Sequence, residues 1–308
     1  MATAFVSHPA CAAHLLDQNH PESFQRLNVI RDELVSGGLF DFLLEVEAPR
    51  ATREELGLVH SAAYIEEIFS IAPESGIVRL DEDTMMDSET LEAVLRAAGA
   101  AAHASRLVLS GEAGNAFCCV RPPGHHATRD SAMGFCFFNN VAVGAAQALE
   151  VFDLKRIAII DFDIHYGNGT RDIFRHDDRV LFLSIFQQDY FSEAGAEGDA
   201  AWREEAIAVD FGIGGNQFRE TIDQRWRPAM DEFQPEMIFV SAGFDAHSAD
   251  SFGDSSLVDN DYRWISEWIV DAAERHSEGR LLSVLEGGYE LVSLGRCAAR
   301  HVRALMGI

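Results

Sequence analysis

Short apolar runs alternate with longer stretches of helical periodicity along the whole chain, and this alternation restricts the fold more than any other feature. Several runs are apolar without an intervening polar residue, as in strands that are covered on both faces. The predicted strands lie at residues 5–7, 116–120, 156–161, 180–185, 206–210, 237–241 and 281–285. The predicted helices lie at residues 22–35, 88–109, 141–151, 217–233, 260–275 and 291–304. Strand–helix alternation of this kind predicts an α/β fold with a mostly parallel sheet flanked by helices on both faces.

One domain, residues 1–308, is expected because nothing divides the chain. It contains no repeat, no low-complexity linker and no change of composition, and α/β folds of this size are often a single unit. The five cysteines are odd in number and lack CxxC spacing. We therefore predict neither a disulfide framework nor a thiolate zinc site, and we expect Cys118 and Cys119, in the apolar run at 115–120, to be core residues.

The formal net charge of −26 is the strongest compositional signal. A field of this sign repels phosphate backbones, so direct binding of nucleic acid is not expected. It would attract cationic ligands such as lysine-rich peptides and polyamines, although the acidity is equally explained by solubility alone. No apolar run is long enough to span a bilayer, and the N-terminus lacks the features of a signal peptide. A cytoplasmic protein with no membrane partner is the simplest interpretation.

Polar residues whose side chains can take part in catalysis or metal binding follow four of the predicted strands, at 121–126, 161–170, 241–247 and 286–289. In parallel sheets ligands bind at the carboxyl ends of strands, on the loops that follow them. Four loops separated in sequence are therefore expected to meet at one edge of the sheet. This expected convergence indicates a functional site more strongly than any single motif.

The segment after residue 160 indicates a metal site. If the strand continues through it, Asp161, Asp163 and His165 point to one side by the two-residue period. Two carboxylates and an imidazole crowded together repel unless a cation joins them, and oxygen and nitrogen ligands without sulfur suit catalytic zinc. Asp245 is the candidate third ligand, with His247 as the competing one. Iron(II) would suit the same ligands.

Two further segments carry groups for proton transfer and charge stabilisation. The prolines at 122–123 stiffen the loop that presents His125 and His126, and imidazole titrates near neutral pH. The last strand is followed by two glycines and Tyr289, whose phenol could donate to a developing oxyanion.

These motifs occur together as RPPGHHA at 121–127, GFCFFNN at 134–140, DFDIHYGNGT at 161–170, SAGFDAH at 241–247 and LEGGY at 285–289. With His-Pro-Glu at 20–22 and Asp-Thr at 83–84, the chain resembles the zinc-dependent histone deacetylase family of the arginase–deacetylase superfamily. Asn168 makes it similar to class II-type and bacterial members, because class I members place an aspartate there. The resemblance implies the arginase–deacetylase fold, with a central sheet of about eight strands.

The resemblance also implies roles for matching positions. The zinc ligands would be Asp163, His165 and Asp245. The catalytic set would be His125, His126, Tyr289, Asp161 and Asn168, in which His126 acts as general base and then general acid. The substrate-binding set would be Asp83, Phe135, Phe191, Gly134 and Gly288, with Tyr190 as an alternative to Phe191. Arg26 would line the exit of the acid product. A structural K⁺ or Na⁺ would lie near Asp161, Asp163, His165, Ser184 and Ile185.

The implied reaction is hydrolysis of a linear amide, with acylated lysine side chains of proteins or peptides as substrates. Acetylated polyamines or other small N-acetyl amines are the alternative, and the oligomeric state is left open. Phe186 departs from the family pattern at the surroundings of the cation site. The loop at 187–198 also departs from it, which leaves open the width of the channel through which the resemblance implies that the acyl-lysine side chain enters. Two other classes compete: a ureohydrolase-like enzyme with two manganese ions, and a non-catalytic module that binds acyl-lysine.

Overall fold

Eight strands form the central sheet of the computed structural model, which describes residues 1–14, 20–188 and 203–308. The described strands are β1 (Thr3–Ser7), β2 (Leu44–Glu47), β3 (Val78–Arg79), β4 (Met85–Met86), β5 (Asn115–Cys118), β6 (Ile157–Asp161), β7 (Val180–Gln187), β8 (Arg203–Val209), β9 (Ile213–Gly214), β10 (Met237–Ala242), β11 (Ser255–Ser256) and β12 (Leu281–Leu285). The described helices are α1 (Ala10–Ala13), α2 (Gln25–Ser36), α3 (Arg53–Leu56), α4 (Ala62–Ile71), α5 (Thr90–Leu109), α6 (Asn140–Glu150), α7 (Asn168–Phe174), α8 (Gly215–Phe233), α9 (Asp259–His276) and α10 (Leu291–Leu305), with a 3₁₀ helix at Phe40–Phe42.

The central sheet has the order β2-β1-β5-β12-β10-β6-β7-β8, and each neighbouring pair is parallel. The inner strands β6, β7, β10 and β12 are buried along their whole length. Their unbroken apolar runs match this double coverage. The predicted single α/β domain with a parallel sheet is thereby confirmed.

The helices form a layer on each face, as the residues of β12 show. Neighbouring strand residues point to opposite faces. Leu282 packs against α6, where a side chain on Gly144 would lie 3.2 Å from its Cδ2 atom. The next residue, Ser283, bonds through its hydroxyl to Nε2 of His301 in α10 at 2.8 Å. Helices α5 and α6 pack together on the first face, whereas α10 packs with α9 and α2 on the second.

The structure differs from the sequence prediction mainly at the periphery. Strand β2 was not predicted, because its sequence Leu-Glu-Val-Glu is largely exposed at an edge of the sheet. Strand β8 begins at Arg203, earlier than the predicted residue 206. Helix α4 was missed, while the six predicted helices occur with ends shifted by a few residues. All five cysteines are buried free thiols, and Cys118 and Cys119 lie in the core as predicted. Among the described residues, no helix combines the length and apolar character that crossing a bilayer requires.

His60 fixes the loop before α6 and should make stability depend on pH. Its ring is buried, with Nδ1 2.9 Å from the Thr128 carbonyl, and Nε2 accepts the Asn139 N–H at 3.0 Å. Burial lowers the pKa of His60 to about 4. The unfolded chain, with a histidine pKa of about 6.5, therefore binds more protons than the folded chain between those values. The contribution is fully present above about pH 6.5 and is lost as the pH falls towards 4.

Between pH 7 and about pH 4.5, the unfolding free energy of the wild type should fall by about 2 kcal/mol more than that of His60→Gln. Urea unfolding of chelator-treated protein at both pH values measures this difference. An equal change in unfolding free energy between the two pH values for wild type and His60→Gln would show that His60 is not a neutral buried base.

Candidate functional site

Four loops meet at the carboxyl edge of the sheet, as the sequence predicted. The strands that precede them, β5, β12, β10 and β6, are neighbours in that order. Because the strands are parallel, their carboxyl ends lie at the same edge. The loops carry the His125–His126 pair, Tyr289, Asp245 and the Asp163–His165 pair respectively.

Asp163, His165 and Asp245 form one compact group whose donor atoms all lie within 4.8 Å of one another. Nδ1 of His165 lies 3.0 Å from Oδ1 of Asp163 and 3.2 Å from Oδ2 of Asp245. Two neighbouring ligands of a tetrahedral zinc ion are separated by about 3.3 Å, given bond lengths of about 2.0–2.1 Å. The spacing of these atoms therefore suits one small metal ion.

The strand does not continue through this segment, so the period-two argument for the ligands was wrong. Strand β6 ends at Asp161, and the chain then bends. The Asp161 carboxylate accepts the N–H of Asp163 at 3.1 Å, and the Asp163 carboxylate accepts the N–H of His165 at 2.9 Å. Aspartate side chains that bond to the backbone two residues further on compete with the strand ladder and turn the chain. These turns, rather than pleating, bring the donors together.

The electrostatics of the group also fit a cation. Burial and the charge of Asp163 raise the pKa of Asp245 to about 6. Oδ2 of Asp245 is buried and accepts no hydrogen bond from the described residues, despite its nearness to His165. A buried carboxylate oxygen without a donor is costly unless a positive charge compensates it. The donor set of two carboxylates and one imidazole is one that zinc accepts.

Close packing holds the two carboxylates in place. The N–H of Gly287 donates to Oδ2 of Asp163 at 2.8 Å. A Cβ atom on Gly287 would lie 2.0 Å from Oδ2 of Asp245 and 2.6 Å from Oδ2 of Asp163. Only glycine allows the backbone to approach this closely. The loop after β12 thus contacts both carboxylates through its main chain.

Beside the metal group lie His125 and His126, with ring centroids 4.0 Å apart. Nδ1 of His125 is 2.9 Å from Oδ2 of Asp161, and Nδ1 of His126 is 2.7 Å from Oδ1 of Asn168. Burial lowers the pKa of His125, but the carboxylates of Asp161 and Asp163 outweigh it and raise the pKa to about 10. Burial and the neighbouring imidazoles lower the pKa of His126. The neighbouring carboxylates thus favour the protonated form of His125, whereas the surroundings of His126 favour its neutral form.

Glu286 supports this histidine loop, and the sequence prediction gave it no role. Its buried carboxylate accepts the N–H groups of Gly124 at 2.7 Å and of His125 at 3.2 Å. It also accepts the Ser241 hydroxyl at 3.2 Å. Glu286, at the start of the loop after β12, thereby connects that loop to the loop after β5 and to strand β10. The only available signal was an acidic residue at the end of a buried strand, which does not reveal its backbone partners.

Tyr289 is half-buried at the mouth of the site, between two phenylalanines. The Phe252 ring centroid lies 4.3 Å from that of Tyr289, and the Phe135 centroid lies 6.0 Å away. Burial raises the pKa of Tyr289 well above its ordinary value, so the phenol stays protonated. The Arg26 guanidinium carbon is 5.1 Å from the ring centroid, and its Nε donates to the Gly288 carbonyl at 2.6 Å.

The predicted substrate-binding residues form part of the rim. Thr84 joins two of them, because its hydroxyl donates to Asp83 at 3.1 Å and accepts the N–H of Phe135 at 3.2 Å. Gly134 and Phe135 have positive φ angles of 56° and 67°. A Cβ atom on Gly134 would lie 2.6 Å from Cδ2 of His126. Phe191 and the alternative Tyr190 lie outside the described residues.

His247, the competing ligand, does not join the metal group. It belongs to a second group with Asp259 and Cys297, in which its Nε2 is 3.1 Å from Oδ1 of Asp259. Arg296 and Arg300 also donate to Asp259. Two guanidinium cations on the same carboxylate oppose the binding of a metal ion there. Asp245 is therefore the third member of the group at the sheet edge.

Comparison with known proteins gives a consistent result. The histone deacetylase domain family matches residues 20–305. A histone deacetylase-like amidohydrolase of Pseudomonas aeruginosa is 36% identical over 310 residues, covering 99% of this chain and 80% of that protein. The polyamine deacetylase HDAC10 of Mus musculus is 33% identical, covering 100% of this chain and 48% of that protein. The crystal structure of the HDA15 HD domain has a TM-score of 0.91 at 30% identity, over 99% of this chain and 88% of that one.

Proposed function

The chain belongs to the histone deacetylase family, and from this premise we propose that it is a zinc-dependent amidohydrolase that deacylates N-acyl-lysine in proteins or peptides. The observation that carries the proposal is the position of the histidine pair next to the metal group. The rings of His126 and His165 have centroids 6.0 Å apart. A neutral base is thus adjacent to a metal ligand, which is the arrangement that hydrolysis by activated water requires. A module that only binds acyl-lysine would need no such base.

We propose Asp163, His165 and Asp245 as the zinc ligands. Bound zinc would supply a Lewis acid that makes water acidic near neutral pH and polarises the acyl oxygen. Zinc is proposed as the metal because the group offers three protein donors of types that zinc accepts, and iron(II) stays the alternative because it suits the same ligands.

We assign the proton transfers to His126. Its Nδ1–H donates to Asn168, which leaves Nε2 as the nitrogen that takes the proton of the attacking water. The same nitrogen then protonates the leaving amine, so that the carboxylic acid and the amine separate. His125, held by Asp161, places a positive charge beside this step. Tyr289 donates its phenolic hydrogen to the oxygen on which negative charge develops.

The remaining roles are proposals of the same kind. Asp83 and Phe135 would bind substrate at the rim, together with the backbone at Gly134 and Gly288. Arg26 would line the exit of the acid product. The cytoplasmic location inferred from the N-terminal sequence stays a prediction, and so does the assignment of residues 1–308 to a single deacetylase domain.

A structural K⁺ or Na⁺ is proposed next to the zinc site. The Ser184 hydroxyl is buried and has no hydrogen-bond partner among the described residues. Ser184 lies directly opposite Asp161 in the pairing of β6 with β7. Buried oxygen donors at this spacing suit a hard cation. The proposed site comprises Asp161, Asp163, His165, Ser184 and Ile185.

Acetylated polyamines are the second candidate substrates. The name of the Mus musculus relative describes a polyamine deacetylase, and the net charge of −26 attracts either cationic substrate. The ureohydrolase-like alternative with two manganese ions has less support. Oδ2 of Asp161, a further carboxylate oxygen at the end of β6, is hydrogen-bonded to His125 and is therefore not available to a second manganese ion.

Hydrolysis of an acetyl-lysine peptide and of N-acetylputrescine, measured side by side, tests the proposal. Chelator-treated protein should be inactive, and added Zn²⁺ should restore turnover of the peptide. Restored turnover of N-acetylputrescine alone would indicate that the substrates are small N-acetyl amines rather than acyl-lysine peptides. Zinc-replete protein that hydrolyses neither compound would contradict the proposed substrates.

A further inference from the structure

We propose that Asp250 is a positioning residue for Tyr289 and fixes the hydroxyl that stabilises the oxyanion. This inference rests on the role proposed above for Tyr289. Asp250 lies in the loop after β10, five positions beyond the metal-group residue Asp245 in the chain. Its carboxylate is buried, with 6% of the residue exposed, and within the described part of the chain its hydrogen-bond donors are backbone N–H groups.

The carboxylate bonds to the peptide groups at Tyr289 itself. Oδ2 of Asp250 accepts the N–H of Tyr289 at 2.6 Å and the N–H of Glu290 at 2.9 Å. Oδ1 accepts the N–H of Phe252 at 3.0 Å. Hydrogen bonds to an ionised acceptor are roughly twice as strong as neutral ones. One buried charge therefore joins the tyrosine backbone to the segment that carries Phe252.

Phe252 then contacts the side chain. Its ring is tilted by 44° against the Tyr289 ring at a centroid distance of 4.3 Å. The segment from Asp250 to Phe252 thus holds Tyr289 at two points, by its main chain and by its ring. The Asp250 carboxylate bonds to the backbone N–H groups of both aromatic residues.

Tyr289 needs this support because the backbone before it can adopt many conformations. Gly287 and Gly288 precede it, and Gly288 has a φ angle of 117°, a region that side chains rarely allow. On that side Arg26 donates to the carbonyls of Glu286 and Gly288. A guanidinium thus holds the carbonyls before Tyr289, and a carboxylate holds the N–H groups at and after it. A donor that stabilises a transition state must keep its position closely, since an error of about 1 Å is costly.

A double-mutant cycle with Tyr289→Phe tests this inference. Tyr289→Phe should lower kcat on the substrate of the wild type by about 10²–10³-fold, the usual effect of losing one oxyanion donor. Asp250→Asn should lower kcat by about tenfold or more, because a neutral amide cannot accept all three N–H groups. In the Tyr289→Phe background the same change should cost less than about threefold, because its effect acts through the missing hydroxyl. KM and zinc content should change little.

The exposed Asp254→Asn variant, in the same loop, is the matched control and should keep kcat within about twofold. If Asp250→Asn does not stay folded, Phe252→Leu replaces it in the cycle, because it keeps the N–H that bonds to Asp250 and removes the ring from Tyr289. An undiminished kcat loss in the Tyr289→Phe background would overturn the inference, as would unchanged kcat in Asp250→Asn. Inactive wild type, or full activity in Tyr289→Phe, would instead contradict the proposed function.

Discussion

Asp245→Asn is expected to lose zinc and at least about 10³-fold of kcat, because a Lewis acid contributes several kcal/mol to transition-state stabilisation. Asparagine offers a neutral carbonyl where the wild type has a buried anion. Charge at this position provides much of the attraction for a divalent cation, since Oδ2 of Asp245 has no competing hydrogen-bond donor among the described residues. Zinc bound per chain, measured by elemental mass spectrometry after dialysis, gives a result that does not depend on the substrate.

Thermal unfolding gives a second measurement of zinc binding. Zinc should raise the unfolding midpoint of chelator-treated wild type, because a ligand that binds only the folded state stabilises it. It should leave the midpoint of Asp245→Asn unchanged. Asp259→Asn, in the group with His247 and Cys297, is the matched control and should keep a full equivalent of zinc. Normal zinc content in Asp245→Asn, or loss in Asp259→Asn, would show that the metal group has been assigned to the wrong residues.

His126→Gln is expected to lower kcat by about 10²–10⁴-fold while zinc content stays normal. Glutamine occupies a similar volume but neither takes nor returns a proton. The same imidazole is assigned to both proton transfers, so removing it impairs attack by water and departure of the amine together. The kcat of zinc-replete enzyme on the best substrate checks this expectation.

The exposed His176→Gln variant controls for the loss of an imidazole and should retain wild-type kcat. A loss of less than about tenfold in His126→Gln would assign the base to another residue, with His125 the next candidate. Loss of zinc in His126→Gln would mean that this residue supports the metal site rather than the proton transfers.

The prediction from sequence succeeded where side-chain type and position along a strand carry the information. The apolar runs located the inner strands, and the parallel order of those strands explains why their polar loops meet. Asp163, His165 and Asp245, which the family resemblance implied as zinc ligands, lie together in the structure. Strand β2 was not predicted because this edge strand is exposed along most of its length, so no apolar run marks it.

Residues whose partners are backbone groups were beyond prediction. Glu286 and Asp250 accept N–H groups from loops that are distant in sequence, and any loop presents the same N–H groups whatever its side chains. The bend after Asp161 was missed for a related reason. Whether an aspartate turns the chain or continues a strand depends on whether its carboxylate reaches the backbone, and the residue types are the same in either case.

The order of strands in the sheet has a consequence for how the protein is made. Strand β12 is the last strand in the described chain, yet it lies between β5 and β10 in the centre of the sheet. A nascent chain on the ribosome would already contain every proposed zinc ligand before residue 281 is synthesised. It would lack the strand that joins the two halves of the sheet, β2-β1-β5 and β10-β6-β7-β8. It would also lack the N–H of Gly287 that bonds to Asp163. Contacts across such sequence separations form slowly, so we expect zinc capture to follow the synthesis of β12 rather than precede it.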